Sequence, residues 1–225
     1  MGYNNEGFSI YDLQLLIEGL GVSVWIFLVS TIIGLLLGCF IGLVRFYRIP
    51  ILAQVLMVLS EFLKNSPVLV QLFLVYFGIP ALFAIDISPF QAAVITLSGN
   101  TASFVAIIVI SSIEAIDKRQ LDAARSFAFS EVQIMKCVIF PQSLSLAMPL
   151  LVSLAINQLQ VTSLISVIGV VDITRVGDII NQRTFEPFIV WPIIGLTYFI
   201  LAKVIATVGS LLEEKYSAYR MVNKL

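Results

Sequence analysis

Residues 114–142 read EAIDKRQLDAARSFAFSEVQIMKCVIFPQ and form a polar island between two long apolar runs. Within this island, Asp117 stands three residues before Gln120. Ser130 stands at the same distance before Gln133. This spacing is typical of a capping box, in which side chains satisfy the free N–H groups at a helix N-terminus. The island is therefore predicted to fold as two short helices, joined near Ala128–Ser130, on one side of a membrane.

The composition of the whole chain indicates a membrane protein. Of its 225 residues, 59% are hydrophobic and 12% are charged, and the mean hydropathy is +1.02. Soluble domains carry about 25% charged residues, so this chain belongs to the bilayer-spanning class. A net charge of −1 argues against a nucleic-acid partner. The chain has no histidine, the commonest metal ligand, and no metal site is expected.

Five apolar runs are long enough to cross a bilayer, whose core of about 30 Å needs about 20 helical residues. The predicted fold is an all-α integral membrane bundle of about five transmembrane helices with a cytoplasmic loop at the island. The chain has no low-complexity linker, so residues 1–225 are expected to form a single domain. The predicted spans are residues 20–44, 51–79, 89–112, 141–160 and 188–212.

The distribution of basic residues predicts the orientation of the bundle. With five spans, Arg45, Arg48, the island and the basic C-terminal tail all fall on one side. The opposite side keeps only Arg175 and Arg183. Because cytoplasmic loops carry the excess of Lys and Arg, the N-terminus is predicted to lie outside and the C-terminus in the cytoplasm.

Two spans carry local signals of their own. Pro67 is predicted to kink the second span, which is otherwise treated as one tilted helix, and to free a carbonyl about one turn upstream. Glu61 and Lys64 in the same span are spaced so that their charges can pair. In the first span, small residues at every fourth position predict close packing against another helix: Gly34, Gly38 and Gly42.

The island has features that suit a docking surface. Ala123 and Ala124 place two small side chains in mid-helix, where a partner could approach the backbone. Phe127 and Phe129 are large apolar groups in a polar loop, and such groups can fill a pocket on a soluble protein. The alternative is an ordinary cytoplasmic loop whose aromatic side chains lie on the membrane interface, and the residues alone leave both interpretations open.

The island resembles the EAA loop of ABC importer permeases, which contacts the ATPase subunit. The match consists of Asp122-Ala123-Ala124, then Ala128 where the family has Gly, then IFPQ at 139–142. More narrowly, the chain resembles permeases of polar amino acid importers over residues 16–213. The stretches that carry this resemblance are NSPVLVQLFLVYFGIP (65–80), SPFQAAVITLS (88–98) and TSLISVIGVVDI (162–173).

The resemblance implies a permease subunit of an ATP-driven importer that carries a polar amino acid across a bacterial cytoplasmic (inner) membrane. Its implied partners are a cytoplasmic ATPase dimer, a second permease subunit and an external binding protein. The chain has no G-x-x-x-x-G-K-[ST] motif, so it is not expected to be an enzyme or to bind a cofactor, and ATP and Mg²⁺ belong to the ATPase. The coupling loop is placed at residues 114–140, with the contact set Asp122, Ala123, Ala124, Arg125, Phe127 and Ala128.

The substrate path is predicted from polar residues inside the spans, because a desolvated amino acid needs compensating charges and hydrogen bonds. The alternative is that Lys64 pairs with Glu61 and that the other polar groups join helices. The candidate path residues are Lys64, Asn100, Thr101, Asn157, Gln160 and Thr162.

Departures from the family pattern leave three questions. Ile107, Ile110 and Val161 stand where the family has charged residues, and this favours a heterodimer whose other half supplies more substrate contacts. Ala128 adopts a left-handed turn less readily than Gly, which leaves the geometry of the island break open. The competing functions are a non-transporting or substrate-poor partner half of a permease, and a secondary transporter without an ATPase.

Overall fold

The computed structural model describes residues 7–217, and within that range the chain is helical and contains no strand. This confirms the predicted all-α class. Two π-helical turns, Leu74–Gly78 and Met135–Ile139, and a 3₁₀ helix, Thr162–Ile168, interrupt or extend the α-helices. The α-helices are α1 (Ile10–Phe46), α2 (Leu52–Asn65), α3 (Val68–Phe73), α4 (Ile79–Phe83), α5 (Pro89–Glu114), α6 (Lys118–Ser126), α7 (Glu131–Ile134), α8 (Phe140–Val161), α9 (Ile173–Thr184) and α10 (Pro187–Ser217).

Four helical stretches in the described part of the chain are long and apolar enough to cross a membrane: Ile10–Phe46, Pro89–Glu114, Glu131–Ile168 and Pro187–Tyr216. All four are longer than predicted, and two of them by ten residues or more. The residues before the first predicted span continue it without a break, and the fourth predicted span lies inside a continuous stretch of 38 residues.

The glycine face of α1 packs directly on α5. A Cβ added to Gly38 would lie 2.4 Å from the Cβ of Val105, and one added to Gly34 would lie 2.6 Å from that of Thr101. Gly42 faces Val109 in the same way, at 2.9 Å. Each step of four residues along α1 therefore matches a step of four in the same direction along α5. The predicted close packing is confirmed, and the two helices run parallel.

The second predicted span, residues 51–79, was expected to be one helix with a kink at Pro67. The prediction of a single helix was wrong, because the chain forms separate helices on the two sides of Pro67. The helical axis turns by 113° between Leu52–Asn65 and Val68–Phe83. Ser66 is extended, with φ −105° and ψ 146°, because a residue before proline disfavours the helical region and Pro67 has no N–H to continue the ladder. Since α1 and α5 are parallel, this bent segment must return the chain to the end at which α1 began. It therefore counts as a broken fifth crossing.

The remaining helices define two opposite ends of the bundle. Short helix α9 lies antiparallel to the first half of α1, with Val176 against Gly19 and Arg183 bonded to Asp12. At the opposite end, Phe46 of α1 packs against an apolar cluster formed by the end of α5 and the island. The island and α9 thus lie at opposite ends of the spans.

Candidate functional site

The first island helix, α6, starts where the capping pattern predicts. Asp117 is its N-cap, and the carboxylate accepts the Arg119 backbone N–H at 2.9 Å. The Arg119 guanidinium returns to the same carboxylate, with Nη2 at 2.6 Å from Oδ2. These hydrogen bonds from Arg119 lower the pKa of Asp117, so the cap stays ionised at neutral pH. The first turn of α6 is thereby fixed by its own side chains.

The break after α6 has a left-handed residue at Ala128, with φ +57°. Its N–H donates to the Arg125 carbonyl at 2.9 Å, and the Phe129 N–H donates to the Ala124 carbonyl at 3.2 Å. This is the hydrogen-bond pattern with which helices commonly end at a glycine. Ala128 therefore adopts the conformation that the sequence left in question, at a cost of about 1–2 kcal/mol for an L-residue.

The second island helix is not short, and that prediction was wrong. Its start is as expected: Ser130 is the N-cap, and the Gln133 side chain accepts the Ser130 N–H at 2.8 Å. The helix then continues through the π-helical turn Met135–Ile139 into α8. A π-helical turn shifts the hydrogen-bond ladder by one residue, and this accommodates the missing N–H of Pro141 without ending the helix.

The contact set predicted on α6 divides between two faces of the helix. Ala124 is 8% exposed and packs in the chain's own cluster with Ile113, Ile116 and Ile134, so its side chain faces the core of this chain. The other members are all exposed: Asp122, Ala123, Arg125, Phe127 and Ala128. Successive side chains of a helix point in different directions, so one turn can bury Ala124 against the chain's own core and expose Ala123 and Arg125 to solvent.

The exposed side of the island carries an apolar patch. Phe127 is 79% exposed, Val132 is 63% exposed and Phe129 is 42% exposed. Because these three side chains are exposed, the chain's own core does not account for them. Exposed aromatic groups with polar surroundings are typical of an interaction site.

Arg125 joins the two island helices across the break. Its Nη1 lies 3.4 Å from Asp122 Oδ1, and its Nε lies 3.2 Å from Glu131 Oε1. The pKa of Arg125 is raised, mainly by the hydrogen bond to Glu131. All three side chains are more than half exposed, so the pairs contribute little stability and can be exchanged for pairs with a partner.

The charged candidate for the substrate path, Lys64, is paired inside α2. Its Nζ lies 2.9 Å from Glu61 Oε2, and Glu61 also accepts a hydrogen bond from Asn65 at 3.0 Å. The arrangement matches the alternative in which Lys64 pairs with Glu61. Its side chain keeps 26% of its surface exposed, so it is not sealed away.

Asn100 helps to hold the helix break at Pro67. The freed carbonyl that was expected one turn upstream is that of Leu63, and it accepts the Asn100 side chain at 3.2 Å. Gln71 donates to the same carbonyl at 2.6 Å and to the Ser66 carbonyl at 2.9 Å. The sequence analysis missed Gln71, although an amide four residues after a membrane proline is a usable signal.

The other four path candidates do not converge on one cavity. Thr162 is fully buried and donates to the Leu159 carbonyl at 2.6 Å, and Thr101 is 1% exposed in the α1–α5 seam. Asn157 and Gln160 instead lie on the exposed face of α8. The inner set of candidates, which contact other groups of this chain, therefore consists of Lys64, Asn100, Thr101 and Thr162. The outer pair, Asn157 and Gln160, faces away from this chain.

Gln158 is a buried polar residue that the sequence analysis passed over. Its Nε2 donates to Ser30 Oγ at 3.1 Å and to the Leu97 carbonyl at 3.3 Å, so it joins α8 to both α1 and α5. Beside it lies an open cavity of about 380 Å³ that is also lined by Thr31 and Thr101. Neither threonine hydroxyl has a hydrogen-bond partner among residues 7–217.

A second buried polar group lies at the α9 end. Asp172 is fully buried and caps α9 by accepting the Thr174 and Arg175 N–H groups at 3.2 and 2.9 Å. Burial raises the pKa of Asp172. The neighbouring Thr174 hydroxyl lies 3.0 Å from that of Tyr198 on α10. This network joins α9 to α10 and keeps the α9 end in place.

Comparison with known proteins matches most of the chain to one family. Residues 34–217 fit the model for the binding-protein-dependent transport system inner membrane component. The chain is 32% identical over 96% of its length to the probable amino-acid ABC transporter permease YckA of Bacillus subtilis, covering 95% of that protein. It is 31% identical to the arginine transport system permease ArtQ of the same species, with 92% of this chain and 94% of ArtQ covered.

A solved structure with the same fold gives an independent comparison. A crystal structure of an amino acid ABC transporter with histidines is 33% identical and superposes with a TM-score of 0.84. The alignment covers 90% of this chain and 94% of the other. Sequence and fold therefore point to the same class of membrane protein.

Proposed function

The chain belongs to the family of binding-protein-dependent transport system inner membrane components, and on that premise we propose that it carries a polar amino acid across the cytoplasmic membrane as the permease subunit of an ABC importer. The relatives support this substrate class, since they are amino-acid permeases and one is an arginine permease. An external binding protein delivers the substrate, and a cytoplasmic ATPase supplies the motion. The N-terminus lies outside and the C-terminus in the cytoplasm.

The coupling role is inferred from α6 and the residue that follows it, because one side of this segment is buried in the chain and the other is exposed to solvent. Phe127 projects into solvent at 79% exposure, while Ala124, three residues earlier, is anchored in the chain's own core. A helix fixed on one face and bare on the other suits a contact that transmits movement. In this proposal Phe127 enters a pocket on the ATPase, and Ala123 allows the two backbones to approach closely.

The anchor of α6 connects it to three spans. Its cluster contains Ile113 at the end of α5 and Ile134 at the start of the α7–α8 stretch, and Phe46 at the end of α1 packs against it. A displacement of α6 by the ATPase therefore reaches the ends of three membrane helices. We infer a rigid lever that shifts the bundle between inward-open and outward-open states.

The exposed pair on α8 supports a substrate path between subunits. Asn157 and Gln160 are polar and exposed within a stretch apolar enough to span the membrane. Polar side chains at membrane depth usually face a bundle interior or a water-filled cavity rather than lipid. In this proposal they face the second permease subunit across the path, while the inner set of candidates shapes the helices behind them.

The second permease subunit is proposed to be a different chain. Ile107, Ile110 and Val161 are apolar, and Lys64 is paired with Glu61. Among the described path candidates, the chain thus offers amides, hydroxyls and a paired lysine, but no unpaired charge, to an amino acid's charged ends. Purification of the chain with its ATPase as a homodimer that transports would contradict the heterodimer.

Two readouts test the coupling role in the complex purified with its ATPase. Ala123→Arg and Phe127→Ala are expected to reduce ATPase copurification at least tenfold and to abolish vanadate-sensitive uptake in proteoliposomes. Phe188→Ala is the matched control, since Phe188 is 93% exposed at the opposite end of the spans. It is expected to retain the ATPase fully.

Other outcomes would select another function. Uptake that is insensitive to vanadate and to both island variants would favour a secondary transporter. Normal ATPase binding by the Phe127→Ala variant, with uptake unchanged, would remove α6 from the coupling surface. A complex that binds and hydrolyses ATP but moves no amino acid would favour the non-transporting partner.

A further inference from the structure

A groove at the turn between α1 and α2 has no role in the proposed transport cycle. It is an open groove of about 370 Å³ and lies at the same end of the bundle as the island. Its walls come from the end of α1, the start of α2 and one residue of α5. The lining residues are Arg45, Arg48, Ile49, Pro50, Ala53, Gln54, Met57 and Ile110.

The polar end of this groove carries two arginines that form no close ion pair within residues 7–217. Arg45 Nη1 is buried and has no hydrogen-bond partner in the described part of the chain, and neither Arg45 nor Arg48 forms an ion pair there. The only carboxylate of α2, Glu61, is held by Lys64 at 2.9 Å. Glu61 interacts electrostatically with Lys64 more strongly than with Arg45, so the half-buried Arg45 and the exposed Arg48 leave a net positive charge that favours an anion.

The start of α2 adds to this preference. Helix α2 has 14 residues, no side-chain N-cap hydrogen bond and no acidic residue in its first turn. The Leu52 and Ala53 N–H groups donate to the Pro50 and Ile49 carbonyls, but no carboxylate of the first turn offsets the partial positive charge of the helix start. Gln54, in the first turn of α2, lines the groove and offers an amide donor beside the two arginines.

The rest of the groove is apolar and opens to the outside of the chain. Met57 is 45% exposed and Ile110 is half-buried. The adjoining surface of α2 exposes Ile51 at 76% and Val55 at 58%. An amphiphile would cover both ends of this groove, whereas a small free anion would leave the apolar wall bare. The match is to a charged headgroup with an acyl chain.

We propose that this groove binds an anionic phospholipid, with its phosphate at Arg45 and Arg48 and an acyl chain along Met57 and Ile110. The assignment to the cytoplasmic leaflet rests on the orientation given under the proposed function. Basic pockets on that side of a membrane are suited to anionic headgroups. The bound lipid holds the start of α2 against α1 and α5, next to the broken crossing.

Native mass spectrometry of the full chain, purified in neutral detergent with its copurifying subunits, tests the site. Phosphatidylglycerol is titrated against phosphatidylcholine and against inorganic phosphate. We expect retained phosphatidylglycerol, little phosphatidylcholine and no competition from phosphate. Arg45→Gln with Arg48→Gln should weaken phosphatidylglycerol binding about 30-fold, from two charges at the membrane surface.

Two further variants keep the test specific. Arg45→Lys with Arg48→Lys preserves the charge and should retain most of the binding. Lys118→Gln with Lys136→Gln is the matched control, because both lysines are exposed in the island and neither lines the groove. It should bind phosphatidylglycerol as the unchanged chain does. Equal thermal midpoints for all variants show that folding is unaffected.

Three results would overturn the proposal. One is equal phosphatidylglycerol binding by the glutamine pair and the unchanged chain. Another is displacement by millimolar phosphate, which would make the ligand a free anion. The third is crosslinking of a photoreactive group at Gln54 to a protein subunit instead of lipid in native membranes. Binding in detergent needs neither ATP nor substrate, so a failure of transport leaves this test intact.

Discussion

Gly38→Ala is the substitution that most directly tests the parallel α1–α5 seam. The added Cβ would lie 2.4 Å from Val105 Cβ and 2.8 Å from the Ala102 carbonyl oxygen. Ordinary carbon contacts are about 3.5–4.0 Å, so the helices must separate by about 1 Å or more. Val105 is fully buried and the carbonyl belongs to the α5 backbone, so neither can simply swing aside.

The expected cost follows from two opposing effects. Overpacking a tight core costs about 1–3 kcal/mol, and separation here also loosens the neighbouring glycine contacts. Alanine recovers up to about 1 kcal/mol of helix propensity. We therefore expect Gly38→Ala to destabilise the fold by about 2 kcal/mol, which for a chain of this size lowers the thermal midpoint by about 4–8 °C.

The assay is the thermal midpoint of the detergent-solubilised full chain, followed by size-exclusion chromatography. Gly21→Ala is the matched control, since it lies in the same helix and its added Cβ meets nothing within 4 Å. It should leave the midpoint unchanged or raise it. Val105→Gly should partly rescue Gly38→Ala, because it removes the opposing Cβ, whereas Val105→Ala keeps that atom and should rescue less.

Two results would refute the seam. A Gly38→Ala variant as stable as the unchanged chain would show that Gly38 does not face Val105 at this distance. Equal losses for Gly38→Ala and Gly21→Ala would show a general intolerance of alanine in α1. Rescue by Val105→Ala that equals rescue by Val105→Gly would indicate a looser contact than 2.4 Å.

Three smaller predictions concern single contacts, each measured as a change in thermal midpoint. Gln71→Ala should lower the free energy of unfolding by about 1 kcal/mol. The double variant with Asn100→Ala should lose more than the sum of the two single losses, because only the double variant leaves the Leu63 carbonyl unpaired. Additive losses would contradict this. Ala128→Gly should be neutral or stabilising by less than about 1 kcal/mol, since the relief of left-handed strain is offset by the greater entropy of glycine in the unfolded chain. A loss of stability would argue against the φ of +57° at this residue. Asp172→Asn keeps the helix cap and should cost less than Asp172→Ala, which loses about 1 kcal/mol. Because burial raises the pKa of Asp172, stability should fall as pH rises from its ordinary 3.8 through the raised value, and Asp172→Asn should lack that fall.

The sequence predicted those features that depend on local chemistry. The capping residues Asp117 and Ser130 lie at helix starts, and the glycine stripe of α1 lies at a helix contact. The carbonyl freed by Pro67 was also expected. Each of these follows from a few neighbouring residues, whose preferences do not depend on where the rest of the chain lies.

Features that depend on distant packing were not predictable in the same way. Pro67 signals a kink, but the 113° turn requires Gln71 and Asn100 to satisfy the exposed carbonyl of Leu63. Ala124 shares its local pattern with Ala123, and only the cluster beneath α6 makes one buried and the other exposed. The choice between inner and outer faces is thus made by tertiary contacts.

The α1–α5 seam limits how the proposed lever can act. Glycine faces with added-Cβ distances of 2.4–2.9 Å leave no room for one helix to slide past the other, so α1 and α5 move as one body. The cluster under α6 contacts the ends of both helices, and a push on the island therefore displaces the pair together. Relative motion must then be absorbed where the chain already leaves helical geometry, at the extended Ser66 before Pro67 and at the turn through Ile51, which has φ +64°. Substitutions that stiffen or loosen these two turns should alter transport without altering ATPase binding, whereas damage to the seam should reduce both.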